Sequence, residues 1–412
     1  MFVSLENKNN LNILEMFAGV GGFRVGLERA NKDIFVTKWA NQWEPSKKAQ
    51  EAFDCYNSHF PDSENMNVDI ATVPDDFFRD NKIDMIVGGF PCQDYSVART
   101  LSGEKGIQGK KGVLFWEIAR AIELSQPKFA LLENVDRLLK SPSTQRGRDF
   151  SIMLGKLNEL GYSVEWRVIN AADYGFVQRR RRVFIFVYKN GSEYYNDQSK
   201  YTDEEIIYTK GLFAKEFPVE GYPVKDRFSL GELPADIVDI SDNYSAAIYN
   251  AGIMRNGVFS SIETEPKFEN PTVLRDVLVP EDTVDEKYYL SAAQAEKFEY
   301  LKGSKKIERT SKTGHKYIFS EGGMPVTDPL DKPGRTMLTS EASINRSTHV
   351  VEVNGRKRFL TPIETERLNG FPDDWTNTMP DRMRYFCMGN ALVTNVIERI
   401  GKGIEKIVAD ES

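Results

Sequence analysis

The chain has 412 residues, with 54 lysines and arginines against 61 aspartates and glutamates, a net charge of -7, and 40% hydrophobic residues. That length exceeds what one core normally serves, so two domains are expected, and the acidic total excludes a uniformly basic coat while leaving room for local basic surfaces. Three cysteines, Cys55, Cys92 and Cys387, are odd in number and lack zinc-ligand spacing, and no apolar run reaches the length of a membrane span. No disulfide framework, no metal site and no membrane segment are therefore expected, and a soluble cytoplasmic protein is.

Residues 11–17 are apolar with one interruption and lead into Ala18-Gly19-Val20-Gly21-Gly22-Phe23, after which Val25, Leu27 and Ala30 suit a helix. Strand, glycine turn and helix in this order let backbone approach a nucleotide-like ligand, and no Gly-Lys-Ser/Thr follows to make a phosphate-binding P-loop. A second strand over 34–40 ends in Asn41-Gln42-Trp43-Glu44, whose polar groups suit ribose hydroxyls or a helix cap before Pro45. Asn67-Val68-Asp69-Ile70 supplies another acid. The apolar run 83–87 then delivers Gly88-Gly89-Phe90-Pro91-Cys92-Gln93 to the carboxyl end of a buried strand, where doubly wound sheets bind their ligands. The two glycines, Pro91 and the polar residues that follow hold the Cys92 thiol out of the core, which makes it a candidate nucleophile.

A helix is expected over 114–124, with Phe115, Ile118 and Ile122 on one face. The strand 127–132 ends in Glu133-Asn134-Val135, another helix covers 151–160, and 182–187 closes a last strand. Together these predict a predominantly parallel α/β domain with several polar strand ends converging on one rim. Its basic residues cluster as Arg179-Arg180-Arg181-Arg182 and, in a glycine-rich stretch, as Lys105, Lys110 and Lys111.

From 190 to about 350 the glycine turns disappear and the chain becomes irregular, with a capping box at Ser291 to Gln294 and a turn at 331–334. An inserted second domain is expected there. A helix follows over 362–368, ended by Gly370, and a packing helix carries Val393, Val396, Ile397, Ile400, Ile404 and Ile407 at helical spacing.

Taken in order, these motifs closely resemble the DNA cytosine C5 methyltransferases. Phe17, Ala18, Gly19, Gly21, Gly22 and Phe23 look like the cofactor loop, Asp69 and Ile70 the adenine-contacting pair, Pro91-Cys92-Gln93 the nucleophile motif, and Glu133-Asn134-Val135 the base-protonating motif. Gln178 to Arg182 resembles Gln-x-Arg-x-Arg and maps Arg180 and Arg182 onto the family arginines; residues 358–372 resemble the motif that supports the recognition domain, and Gly389-Asn390-Ala391 the final cofactor motif. The resemblance implies a Rossmann-like domain with a mixed, mostly parallel sheet, formed by 1–189 and 376–412, and a target recognition domain over 190–375 that includes the supporting motif at 356–375.

The implied cofactor is S-adenosylmethionine, the implied substrate a cytosine flipped out of double-stranded DNA. In that chemistry the Cys92 thiolate adds at C6, Glu133 protonates N3, Arg182 holds the cytosine O2, and Arg180 helps fix the thiolate end. Gln93, Ser96, Lys105, Lys110 and Lys111 are the implied DNA contacts, the last four in a stretch that resembles the family's mobile catalytic loop. One departure stands out. Relatives place a glutamate before the aromatic residue that here is Trp43, whereas this chain has Gln42 there and Glu44 after it, and an ionised Glu44 is the stronger acceptor for ribose. A monomer is expected, with a cognate restriction endonuclease encoded nearby as its counterpart. A tRNA cytosine methyltransferase, a catalytically inactive DNA-binding regulator and a nicotinamide dehydrogenase are the competing readings; the long insert, the intact Cys92, Glu133 and Arg182, and the Pro91-Cys92 pairing respectively oppose them.

Overall fold

A computed structural model describes residues 10–45, 47–90, 114–221, 227–311 and 313–411. The apolar runs become strands β1 (Leu11–Met16), β2 (Phe35–Asn41), β3 (Glu64–Met66), β4 (Met85–Gly89) and β5 (Phe129–Val135), which pair in parallel in the order β3-β2-β1-β4-β5. Their carboxyl ends therefore share one rim. Two longer strands, β6 (Tyr162–Asn170) and β7 (Arg181–Lys189), extend the sheet antiparallel, with β7 beside β5 and β6 beyond it.

Period-two alternation splits the sheet residues between two cores. On β5, Phe129 and Leu131 face a layer that contains Phe23 and Leu27 of the helix Gly22–Asn31 and Ile397 and Ile400 of the helix Thr394–Asp410. Ala130 and Leu132 face the other layer, with Phe115, Ile118 and Ile122 of the helix Leu114–Ser125 and Phe150, Leu154 and Leu157 of the helix Arg148–Glu159. The amino- and carboxyl-terminal helices cross closely because Gly26 has no side chain: a Cβ there would lie 2.5 Å from Ile397.

The sheet does not end where the second domain was expected to begin. After the short β8 (Val219–Glu220), strands β9 (Phe228–Glu232), β10 (Ala251–Arg255) and β11 (Val258–Ile262) continue it in the order β6-β10-β11-β9, giving ten strands. Tyr194, Leu212, Phe213 and Phe217 also join the core of the first and last helices. The expected boundary at 190 thus falls inside a continuous sheet, because three short antiparallel strands, β10 and β11 joined as a hairpin with β9 beside it, attach through β10 to β6 far back in the chain.

Beyond β12 (Glu265–Pro266), which pairs with β8, the chain forms short helical turns, the helix Ala292–Lys302 with the expected Ser291 capping box, and two hairpins. These are β13 (Lys305–Thr310) with β14 (Lys316–Glu321), and β15 (Val350–Val353) with β16 (Arg356–Phe359). The helix Pro362–Leu368 opens on a Thr361–Glu364 capping box. A third core joins this region to the site: Leu274, Met337, Leu360 and Leu368 pack with Ala18, Val20 and Val25 of the glycine turn and with Met388 of the helix Asp381–Asn390. Among the described residues, no helix is long and apolar enough to cross a membrane and no cluster of three metal-ligating side chains occurs.

Candidate active site

At the shared rim the backbone leaves β1 through Phe17, a non-glycine residue at φ 56°, and Gly19, also at φ 56°. A left-handed conformation at phenylalanine costs of order 1–3 kcal/mol, and such strain gathers at ligand clamps. A Cβ on Gly19 would meet nothing within 4 Å, so this stretch of backbone is open to a ligand. The loop is held from behind, since the Ala18 amide donates to the Asn41 carbonyl at 3.0 Å and the Gly19 amide to Gln42 Oε1 at 2.8 Å. A cavity of about 210 Å³ opens in front of it.

That cavity brings together Phe17, Ala18, Gly19, Gly22, Phe23, Gln42, Glu44, Glu133, Asn390 and Ala391 of the expected site, drawn from four chain segments. Gln42 and Glu44 both line it, in different states. The Gln42 acceptor oxygen is engaged by Gly19, whereas the Glu44 carboxylate pairs with Lys47 at 2.6 Å at the cavity wall. The Gln50 side chain brackets Glu44, accepting from its amide and donating to its carbonyl, both at 2.9 Å. Gly21 lies behind the loop rather than in the lining; a Cβ on it would strike Phe60 at 2.7 Å.

Glu133 sits directly across the sheet from Gly89, and its Oε1 accepts from Arg182 Nε at 2.9 Å. Burial pushes the Glu133 carboxyl above its ordinary range, against the pull of Arg182 and Arg180 in the other direction. Asn134 points to the opposite face, where its Nδ2 donates at 2.8 Å to the carbonyl of Phe90, the last described residue before Pro91 and Cys92. It anchors the chain at the end of β4.

The arginine block alternates as it leads into β7: Gln178 and Arg180 are buried, Arg179 and Arg181 exposed, and Arg182 turns back to the site. Arg180 was expected at the thiolate end. Its Nη1 and Nη2 instead donate to the carbonyls of Met337, at 3.0 Å, and Gly389, at 2.9 Å. Burial, together with the like charge of Arg182, pulls Arg180 down to about 9, although Glu133 opposes the fall. Gln178 completes the clamp, accepting from the Met337 amide at 3.1 Å and donating to Leu368 and Asn369. Both residues therefore bind Met337 to the site, tying the second region to the catalytic rim.

Besides Gly21, three described residues of the expected cofactor site do not line the cavity. Trp43 is 37% exposed outside it, Ile70 is buried in the sheet core, and Asp69 caps a short turn by accepting from the Ala71 amide at 3.1 Å. Pro91, Cys92, Gln93, Ser96, Lys105, Lys110 and Lys111 lie outside the described residues. Phe386 and Cys387 line the cavity without having been anticipated, and helical spacing carries their signal, because Phe386 lies one turn before Asn390 on the same helix.

Two solved structures named as methyltransferases share this architecture. A Spodoptera frugiperda DNMT2 aligns with a TM-score of 0.60 at 14% identity over 97% of this chain and all of that one, and an Entamoeba histolytica methyltransferase, EhMeth, with 0.56 at 13% over 98% and 99%. Sequence then narrows the class. The chain belongs to the family of C-5 cytosine-specific DNA methylases, whose model matches residues 11–406. It is 60% identical over 399 residues to the Type II methyltransferase M.Sau3AI of Staphylococcus aureus, covering 97% of this chain and 96% of that protein. Against M.HhaI of Haemophilus parahaemolyticus it is 26% identical over 394 residues, covering 96% and 94%. The chain is accordingly a DNA cytosine C5 methyltransferase, and neither the tRNA enzyme nor the inactive regulator is favoured.

Proposed function

We propose that this enzyme takes the methyl group from S-adenosylmethionine and places it on C5 of a cytosine flipped out of double-stranded DNA, through a covalent adduct with Cys92. The observation that carries this reading is the Glu133–Arg182 pair at 2.9 Å on the wall of the cavity formed by the glycine turn. The cradle fits the cofactor: open backbone at Gly19, the aromatic faces of Phe17, Phe23 and Phe386, and an acceptor at Glu44. Bound there, S-adenosylmethionine supplies an electrophilic methyl group. Asn390 and Ala391 close the opposite wall.

Cytosine C5 is too weak a nucleophile to take that methyl group unaided. The Cys92 thiolate forms a bond to C6, and the electron pair of the C5–C6 double bond moves into the ring. Glu133, whose proton burial favours, delivers it to N3, and Arg182 donates to O2, so the charge that develops is met at both positions. C5 then carries the pair that accepts the methyl group. With the thioether S-adenosylhomocysteine as the leaving group of the transfer, loss of the C5 proton restores the double bond and expels the thiolate, and N3 returns its proton to Glu133; no residue is assigned as the base for the C5 proton. Arg180 is a positioning residue, since its guanidinium is committed to two backbone carbonyls.

Duplex DNA admits this geometry only when the base leaves the stack. Gln93, Ser96, Lys105, Lys110 and Lys111 follow the nucleophile in sequence and suit contacts to the emptied site and its phosphates. The region after Glu265 chooses the sequence. One chain supplies every group named, which supports a monomer at work in the cytoplasm, and the Type II designation of the relatives supports a cognate restriction endonuclease as counterpart. The test is Cys92→Ser. Transfer to DNA should vanish while calorimetric binding of S-adenosylmethionine persists; normal turnover in that variant would overturn the mechanism.

A further inference from the structure

The hairpin of β13 and β14 has one whole face of six side chains open to solvent. Its register pairs Lys306 with Ser320, Glu308 with Ile318, and Thr310 with Lys316. Period-two alternation puts these six side chains on one face, and all six are exposed, Ile318 at 64%. The other face is partly covered: Arg309 lies 4.0 Å over the Phe319 ring, and Lys305 donates to the Leu301 carbonyl at 2.8 Å.

A hairpin open on one face is marginal alone, so something must hold it in place. Arg346 does this at the base. Its guanidinium donates to the carbonyls of Leu301, Gly303 and Gly322 and pairs with Glu321 at 3.3 Å. Arg346 belongs to the same stretch as Met337, which Gln178 and Arg180 clamp to the catalytic rim. The hairpin is thereby fixed at its root, tied to the site, and open at its face.

Charge identifies the occupant. In a chain of net charge -7, the two strands carry Lys305, Lys306, Arg309 and Lys316 against Glu308 and Glu321, and Glu321 is occupied by Lys305 and Arg346. The open face offers two lysines, one carboxylate, two hydroxyls and one aliphatic group. Those are the groups that discriminate base edges: lysine with guanine O6 and N7, a carboxylate with the cytosine amino group, hydroxyls with any edge, and an apolar group with the thymine methyl. A two-stranded ribbon also has the width of the major groove.

We infer that the face formed by Lys306, Glu308, Thr310, Lys316, Ile318 and Ser320 enters the major groove of the DNA substrate and reads the base pairs beside the flipped cytosine. This inference rests on the activity proposed above and assigns its sequence selection to one element. The ribbon reads bases; it does not take part in the transfer.

The test is expression of the full chain and of Lys306→Ala, Thr310→Ala and Lys316→Ala in a methylation-free host, followed by bisulfite sequencing of the host genome. Lys82→Ala, at an exposed lysine before the amino end of β4 and so on the side of the sheet away from the rim, serves as the charge control. Wild type and control should modify one common sequence, while each hairpin variant loses about tenfold in preference at particular positions of it. Thermal midpoint and S-adenosylmethionine binding should stay at wild-type values, because the altered side chains are exposed. Unchanged selectivity in all three variants would overturn the inference. A loss uniform over all sequences would overturn it as well, since that is the mark of phosphate contacts. An absence of methylated cytosine with wild type would instead contradict the activity itself.

Discussion

The sheet half and the region beyond Glu265 are held together by different means. In the sheet, every residue from Val183 to Tyr188 is buried and apolar, and ladder hydrogen bonds satisfy the backbone. In the later region side chains do that work: Arg335 donates to the Ser347 and Thr348 carbonyls, Asp328 accepts from the Val350 amide, and Lys302 donates to Val326. Lys302, His349, Arg358, Glu364 and Glu366 are all fully buried there. The sheet accordingly provides a rigid rim for chemistry that is the same in every turnover. The later region, whose backbone course follows from individual ion pairs, accommodates changes of loop without a change of sheet, which suits the sequence selection proposed for it.

The largest test of this contrast lies at Arg358. Its guanidinium pairs with Glu364 through two bonds of 2.8 Å and reaches Glu281 at 3.1 Å, with Arg358 and Glu364 both fully buried. Arg358→Ala leaves a buried carboxylate without its partner and should cost about 3–5 kcal/mol in urea unfolding. Ile185→Val, in the middle of β7, should cost about 0.5–1.5 kcal/mol. Equal losses would break the distinction between the two regions.

Next is an exception within the sheet. Glu15 is fully buried on β1, and burial pushes its carboxyl up to about 7, against the Tyr56 hydroxyl bond at 2.9 Å and the nearby Arg24. An acid whose folded value is raised stabilises the fold below the unfolded value and loses that contribution as pH rises through the folded one. Stability should therefore fall between pH about 4.5 and 7, by on the order of 3 kcal/mol for a shift of this size. Glu15→Gln should flatten that fall in unfolding experiments across the same window. An unaltered pH profile would place the dependence elsewhere.

The smallest effect separates two neighbours at the rim. The Gln42 oxygen accepts from Gly19 and the Glu44 carboxylate pairs with Lys47, so both are engaged, and the proposal that Glu44 takes the cofactor ribose rests on its charge, which makes it the stronger acceptor. Glu44→Ala should weaken S-adenosylmethionine binding by about 1.5–3 kcal/mol, the worth of a hydrogen bond to a charged group. Gln42→Ala should lose less, through the loop alone. Calorimetric titration of both decides it: a larger loss at Gln42 would give that residue the ribose.

The same contrast explains what the sequence disclosed. Glycines 19, 21 and 22 after an apolar run, and Glu133-Asn134-Val135 after another, mark strand ends through local pattern alone, and the structure brings Gly19, Gly22 and Glu133 to one cavity. The strands at 228–262 carry one local mark, the Asn256-Gly257 turn that joins β10 to β11 as a hairpin, but nothing local shows that β10 attaches to β6 far back in the chain. Arg180 illustrates a second limit. Its type and spacing agree with an active-site cation, but its role follows from two carbonyls, at Met337 and Gly389, that lie more than 150 residues away. A hydrogen bond between distant segments has no period, so the reading fails where the second region begins.

The covalent step is the centre of this account, and one reagent interrogates it. A duplex that contains the target sequence with 5-fluorocytosine at the methylated position presents a C5 substituent that cannot leave as a proton. Incubated with enzyme and S-adenosylmethionine, it should yield a protein–DNA complex that survives denaturing electrophoresis, with the attachment mapping by mass spectrometry to Cys92. Active enzyme that turns over ordinary duplex yet forms no such complex, or a complex mapping to another residue, would contradict addition of Cys92 to C6.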